Sequence, residues 1–246
     1  MKKQILFTAV IVTVILSSCT KEDRTMQITS PSAQDQTAQA VSSRNRATPD
    51  IVSNLEGWFP LNGNLKDSAN KLADGVPSKR VFSYAYDRKG KFKSAIYIDS
   101  TFFVKIKAVP QQIPTSLSVW FQPVSFDYNM AGAVVSTDYM GPKVLQSGFN
   151  ALGIVATSTN SPGEYVAIPN MNWHHAVVTY DGKYVKFYLD NVLKYTLRHS
   201  GPIPPTQSDY YVGWTSIWPH WNGWVDDVRF YSRALSATDV DALYHE

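Results

Sequence analysis

The chain has 246 residues, 44% of them hydrophobic, with 13 Gly, 14 Pro, one Cys and 32 aromatics, of which only Phe7 lies in the first 50 positions. An aromatic-rich stretch of 196 residues therefore follows an aromatic-poor leader. That stretch is long enough for one full core and too apolar for intrinsic disorder, and a lone Cys excludes a disulfide-stapled fold. The net charge is +3, yet residues 51–246 hold 17 basic and 16 acidic side chains, with no run of Lys or Arg expected on any one face. Phosphate neutralisation needs clustered cations, so nucleic acid is not an expected partner.

The first 18 residues, MKKQILFTAVIVTVILSS, pair a positive start at Lys2 and Lys3 with an apolar run from Ile5 to Leu16. Such a run is short for a membrane span and suits the apolar region of a signal peptide. It ends in Leu16-Ser17-Ser18-Cys19, which resembles the bacterial lipobox, and Cys19 is the only cysteine of the chain. The resemblance implies cleavage before Cys19 and lipidation of its thiol, so that residues 1–18 are a lipoprotein signal peptide. An ordinary signal peptide with an incidental Cys is the alternative. Acyl chains contribute roughly 0.8 kcal/mol per buried methylene, enough for several together to hold a protein on a membrane.

Thr20-Lys21-Glu22-Asp23 resembles the charged export signal of Bacteroidetes-type lipoproteins. That implies an outer-membrane location facing the cell exterior, with the lipid anchor as the only membrane contact. Residues 20–50 contain no aromatic residue, and 17 of the 31 are Thr, Ser, Gln or Ala. A segment so poor in apolar surface cannot offset its ordering entropy, so residues 19–50 are expected to form a lipidated N-terminus and disordered tether.

From Leu55 onward short β-branched and aromatic runs alternate with turn residues, the pattern of an all-β sandwich. Strands are predicted over 94–98, 102–107, 116–122, 131–136, 149–156, 164–168, 173–180, 184–189, 192–198, 210–215 and 222–231. Asp181-Gly182 is expected to supply the positive φ angles of a two-residue hairpin turn, and Asp190-Asn191 marks a second turn. Apolar residues on both faces of Phe187-Tyr188-Leu189 suit a strand buried between two layers. One short helix is predicted at the C-terminus: Ser236 and Asp239 read as a capping box, and Val240, Leu243 and Tyr244 share a face expected to pack on the sandwich edge.

Four stretches taken in order, GWFPLNGNLKDSAN, SLSVWFQP, WHHAVVTYDGKYVKFYLDNVL and WNGWVDDVRFYSRALSATDVDALY, resemble the laminin-G-like, concanavalin A-like lectin/glucanase domains of bacterial surface proteins. The resemblance covers residues 51–246. It implies a two-sheet antiparallel jelly roll with its termini adjacent on an outer strand pair. It also implies a structural calcium ion, for which Asp67 and Asp226 match the family's acids, although Ala69 stands where Gly is commoner. Turn formation by Asp67 and pairing of Asp226 with Arg229 or Arg233 are the alternatives.

The carboxylate pattern argues against hydrolysis. Glycosidases of such folds place two carboxyl groups two or four residues apart on one strand, where they share a face. Glu56, Glu164 and Glu246 have no acid at those offsets, and the adjacent Asp226 and Asp227 are expected on opposite faces. His174-His175 diverge in the same way, one ring expected buried and the other on the surface. No phosphate loop, zinc spacing or serine elbow is present.

Aromatic residues point instead to binding. Trp214, and then Trp218-Pro219-His220-Trp221 read as a loop, supply the rings and polar groups that stack on a pyranose, with Tyr128 and Tyr139 as additions. Folding of Trp221 back onto the core is the alternative for that ring, while Trp58, Trp120 and Trp173 are expected in the core. The expected function is non-catalytic, lectin-like binding of a glycan or polysaccharide. A protein-binding adhesion module and a cryptic glycoside hydrolase are the alternatives.

Overall fold

The computed structural model describes residues 48–99, 101–109, 114–126, 132–137, 143–147, 151–155, 165–199, 209–215 and 221–246. The signal peptide, Cys19 and most of the tether lie outside these residues, as do Tyr128, Tyr139, Trp218 and His220. The unit Ala47–Glu246 contains both sheets, the helix and the whole described core, the hallmark of a self-contained folding unit.

Among the described residues fifteen strands form two antiparallel sheets. In chain order the first sheet comprises β1 (Leu55–Phe59), β3 (Ser83–Ala85), β4 (Ala95–Ile98), β6 (Ser116–Pro123), β11 (His174–Tyr180), β12 (Tyr184–Leu189), β13 (Val192–Arg198) and β15 (Gly223–Tyr231). Their spatial order is β13-β12-β11-β6-β15-β4-β3, with β1 also paired to β15. The second sheet comprises β2 (Val76–Pro77), β5 (Val104–Ile106), β7 (Gly132–Thr137), β8 (Lys143–Ser147), β9 (Ala151–Val155), β10 (Tyr165–Ala167) and β14 (Tyr210–Val212). Its order is β10-β9-β8-β7-β14-β5-β2. The fold is the expected all-β jelly roll with a single C-terminal helix among the described residues, α1 (Ala237–His245).

Alternation places the core. Leu117, Val119 and Phe121 of β6, Ala176 and Val178 of β11, and Val225, Val228 and Phe230 of β15 turn toward the second sheet, meeting Val104, Ile106, Val134, Tyr210 and Val212. The opposite face of the first sheet is also covered. Val240 and Leu243 of α1 pack on Val177, Tyr188 and Tyr231, so the helix lies across a sheet face rather than at the sandwich edge. This explains why Phe187, Tyr188 and Leu189 are all buried, as the apolar run predicts. The capping box is formed: Ser236 accepts from Asp239 N while the Asp239 carboxylate accepts from Ser236 N.

Of three local expectations, the first holds and the other two change. Asp190 and Asn191 both have positive φ, 52° and 62°, and join Leu189 to its partner Val192 as a two-residue turn. At Asp181-Gly182 only Gly182 does, and the Asp181 carboxylate instead accepts from the N–H groups of Lys183 and Tyr184. Finally β15, the partner of β1, is an inner strand flanked by β6 on one side and by β4 and β1 end to end on the other.

Candidate functional site

The described part of the aromatic face is built from β5 and β14. Tyr210 and Val212 are buried in the core, so Tyr211 between them points to the outer side of the second sheet, opposite Lys105. Gly213, with φ of 87°, turns the chain where an L side chain is strained, and its N–H donates to Val134 O. Trp214 follows and is held by its own carbonyl, which accepts from Ser136 Oγ at 2.6 Å. The Trp214 ring lies 4.5 Å from Tyr211 and 5.5 Å from Phe103, and Phe103 and Tyr211 are 5.9 Å apart. All three are half-buried.

Polar groups border the rings. Lys105 Nζ sits 5.9 Å over the Tyr211 ring and 2.7 Å from Asp209 Oδ2. Burial works to raise the Asp209 carboxyl, but Lys105 and the Ala108 N–H bring it below its usual range. Three clustered rings beside an ion pair form a platform that can stack on the apolar face of a sugar and hydrogen-bond its hydroxyls. Sequence reasoning singled out Trp214 here but passed over Phe103, which only the β5–β14 pairing brings alongside.

Trp221 is a correction. It is fully buried in the core, its ring edge-on to Phe121 at 6.3 Å. A Cβ on Gly223 would lie 2.4 Å from that ring, so the glycine makes the space the indole fills. Trp221 is therefore a packing residue and not a ligand contact. Trp58 and Trp173 are half-buried, and Trp120 is buried on the helix-covered face rather than between the sheets. His174 and His175 are both buried, correcting the surface assignment. His174 bonds Asp190, whereas His175 stacks on Trp120 at 4.8 Å.

The calcium expectation does not fit its residues. Asp67 is buried, and its carboxylate accepts four backbone N–H groups: Trp58 and Ala69 on Oδ1, Lys71 and Leu72 on Oδ2, at 2.7–3.0 Å. Those bonds occupy the acceptor positions that a cation would need. Asp226 is paired with Arg88 at 2.6 Å, neither Arg229 nor Arg233. No cluster of three or more potential metal ligands occurs among the described residues.

Asp226 and Asp227 also depart from expectation. A bulge shifts the β15–β6 register between Asp226 and Arg229, and Asp227 adopts φ of 49°. The extra residue brings both carboxylates to one face, where Arg88 lies 2.6 Å from Asp226 and 3.6 Å from Asp227. Trp58 Nε1 donates to Asp227 at 2.6 Å, and Arg229 pairs with Asp227 at 3.0 Å and with Glu246. These groups line a cleft of about 340 Å³. Burial pushes the Asp226 carboxyl up to about 7 despite Arg88. Two carboxylates thus share a cleft, as hydrolysis requires, but each is committed to a guanidinium. The arrangement ties β1, β15, the β3–β4 loop and the C-terminus together.

A family model described as the concanavalin A-like lectin/glucanases superfamily, Laminin_G_3, matches residues 102–241. A search of the curated proteins finds no match. Among solved structures the chain is similar to domain 4 of AbnA, a GH43 extracellular arabinanase from Geobacillus stearothermophilus, solved in complex with arabinotriose. The TM-score is 0.59 at 20% identity, covering 78% of this chain and 98% of that one. It is similar also to a structure of botulinum neurotoxin type C, whose cell entry depends on interaction with two ganglioside molecules (TM-score 0.59, 12% identity, 79% and 51% covered). A third likeness is to the binding domain of Paraclostridial Mosquitocidal Protein 1 (TM-score 0.57, 14% identity, 79% and 52% covered). The chain thus spans about half the length of the two toxin chains, and identities this low bear on the fold alone. With the family model spanning more than half of the residues, the chain belongs to the concanavalin A-like lectin/glucanases superfamily.

Proposed function

We propose that this protein is a non-catalytic carbohydrate-binding lipoprotein, anchored through Cys19 on the exterior of an outer membrane and recognising glycan by ring stacking. The observation that carries the reading is the cluster of Trp214, Tyr211 and Phe103 beside the Lys105–Asp209 pair on the outer side of the second sheet. Stacked rings contribute on the order of 1 kcal/mol each, so affinity at one such platform is modest. The arabinotriose and ganglioside associations of similar structures are in keeping with it. Hydrolysis is not part of the reading, because the two clustered carboxylates are held by Arg88 and Arg229.

The test is a glycan and polysaccharide array with the unit Ala47–Glu246, run beside Trp214→Ala and Tyr211→Ala variants. Binding that falls about fivefold or more in each variant supports the platform. Binding unchanged in both refutes it, and a folded protein that engages no glycan refutes the carbohydrate reading. Release of reducing ends from any bound glycan would refute the non-catalytic part.

A further inference from the structure

The loop joining β3 to β4, Tyr86-Asp87-Arg88-Lys89-Gly90-Lys91-Phe92-Lys93, carries four cations and one acid, a net +3. Residues 51–246 as a whole carry +1, so the rest of that stretch is net −2 and its positive charge is focused in one loop. This reverses the expectation that no face gathers Lys and Arg.

The loop is built to hold its shape. Asp87 Oδ1 accepts from Lys89 N at 2.9 Å and Lys91 N at 2.8 Å, Gly90 N donates to Asp87 O, and Asp87 N donates to Lys91 O. Gly90 supplies the positive φ at the tip, 76°. Arg88 alone folds inward, to Asp226 and over the Trp120 ring at 4.7 Å, which pins the loop to the sheet. Lys89, Lys91 and Lys93 stay exposed, and among the described residues none has an ion-pair partner.

Two rings flank these cations. Tyr86 is 62% exposed and Phe92 56%, with centroids 5.0 Å apart. Neither is needed by the core, and paired exposed rings on a rigid cationic loop call for a ligand. Beside them opens the cleft of about 340 Å³, whose lining sets Arg88, Lys89, Lys91 and Arg229 against Asp87, Asp226, Asp227 and Glu246, so the net positive charge resides on the loop rather than in the cleft. Its size is that of small-ligand sites.

We infer that this loop, at the rim of the cleft, is a docking site for an anionic polysaccharide, whose carboxylate or sulfate groups meet Lys89, Lys91 and Lys93 while its sugar rings stack on Tyr86 and Phe92. Charge complementarity selects the polyanion. Side-by-side rings and a polar cleft favour a sugar chain over a lipid surface, which cations alone would attract. The site is separate from the Trp214 platform and stands without it.

The experiment measures binding of Ala47–Glu246 to heparin and to polygalacturonate, with dextran as the neutral control, at low and high salt. A Lys89→Gln/Lys91→Gln/Lys93→Gln variant and a Tyr86→Ala/Phe92→Ala variant are run in parallel. The expected result is binding to one or both polyanions that weakens steeply with salt. It should fall about tenfold or more, with a shallower salt dependence, in the lysine variant. The ring variant should lose about fivefold with the salt dependence kept. Trp214→Ala should leave polyanion binding intact, which keeps failure here distinct from failure of the Trp214 platform. Absent polyanion binding, binding equal in the lysine variant, or capture only by vesicles of phosphatidylglycerol and phosphatidylcholine in equal parts would overturn the inference. Unchanged urea midpoints show that both variants remain folded.

Discussion

Removing the Asp67 carboxylate separates a backbone-organising role from a metal-binding one. In Asp67→Ala the N–H groups of Trp58, Ala69, Lys71 and Leu72 lose their acceptor together. Lys71 is exposed, so water can take over its N–H, but Trp58, Ala69 and Leu72 are half-buried. At about 1–1.5 kcal/mol for each of those three, the variant loses about 3–5 kcal/mol of stability. With a urea m-value of about 2 kcal/mol/M, the unfolding midpoint falls by about 1.5–2.5 M. Asp67→Asn keeps one carbonyl oxygen in place and should lose about half as much. The assay is urea unfolding of wild type and both variants, followed by tryptophan fluorescence, with added calcium and with chelator. The reasoning requires the same loss in both conditions and a wild type indifferent to chelator. A wild-type midpoint that drops in chelator, with Asp67→Ala insensitive to it, would refute the backbone role and restore a calcium site.

Three further outcomes follow from packing and burial. Trp221→Ala should cost about 3–5 kcal/mol as a core truncation, whereas Trp214→Ala should leave the urea midpoint nearly unchanged. Gly213→Ala places a Cβ 2.4 Å from Ile98 Cγ2 at a φ of 87°, and should lower stability by about 2–4 kcal/mol in thermal unfolding. Burial lowers the His175 imidazole to about 3, aided by the Arg88 and Arg229 charges and opposed by Asp227 and Asp190, and its Nδ1 has no hydrogen-bond partner among the described residues. Between that value and the unfolded one near 6.5 only the unfolded chain binds the proton. Stability from this residue is therefore complete above about pH 6.5 and declines by about 1.4 kcal/mol per unit as pH falls toward 3. His174 acts in the opposite sense, because Asp190 raises it although burial works to lower it. The measurement is thus the difference between wild type and His175→Phe from pH 4 to 7, and an equal slope in both would show that His175 is not the group responsible.

What could be read from the sequence was set by local pattern. Runs rich in β-branched and aromatic residues bounded by turn residues, such as β11 and β12, and the capping box of α1 lie where expected. β1 and β8 are not among the predicted strands, and β2 and β3 are two and three residues long, too short to show a period. The Trp214 platform was visible only in part, because Phe103 lies 108 positions before Tyr211 and joins it solely through the β5–β14 pairing. Counting loop charges would have found the Arg88–Lys93 cluster. Strand-face periodicity does not show it, because the hairpin gathers its cations at a loop.

The placement of Asp226 and Asp227 on one face is also encoded in the sequence. Adjacent strand residues diverge only if alternation is unbroken. The inward residues of β15 are Val225, Val228 and Phe230, and the first two are three apart. Running strict alternation back from Phe230 would have sent Asp226 and Trp224 into the core and Val225 and Asp227 out, an arrangement that buries a carboxylate among hydrophobes. One extra residue between Val225 and Val228 avoids that cost, and the break falls where the neighbouring strand changes from β4 to β1. Asp, among the residues that tolerate the left-handed region best, occupies the bulge at 227. A three-residue interval between apolar positions in a strand thus marks a bulge, and polar residues inside it belong on one face together. Here that places both carboxylates within reach of Arg88 and fixes the loop that the polyanion proposal rests on.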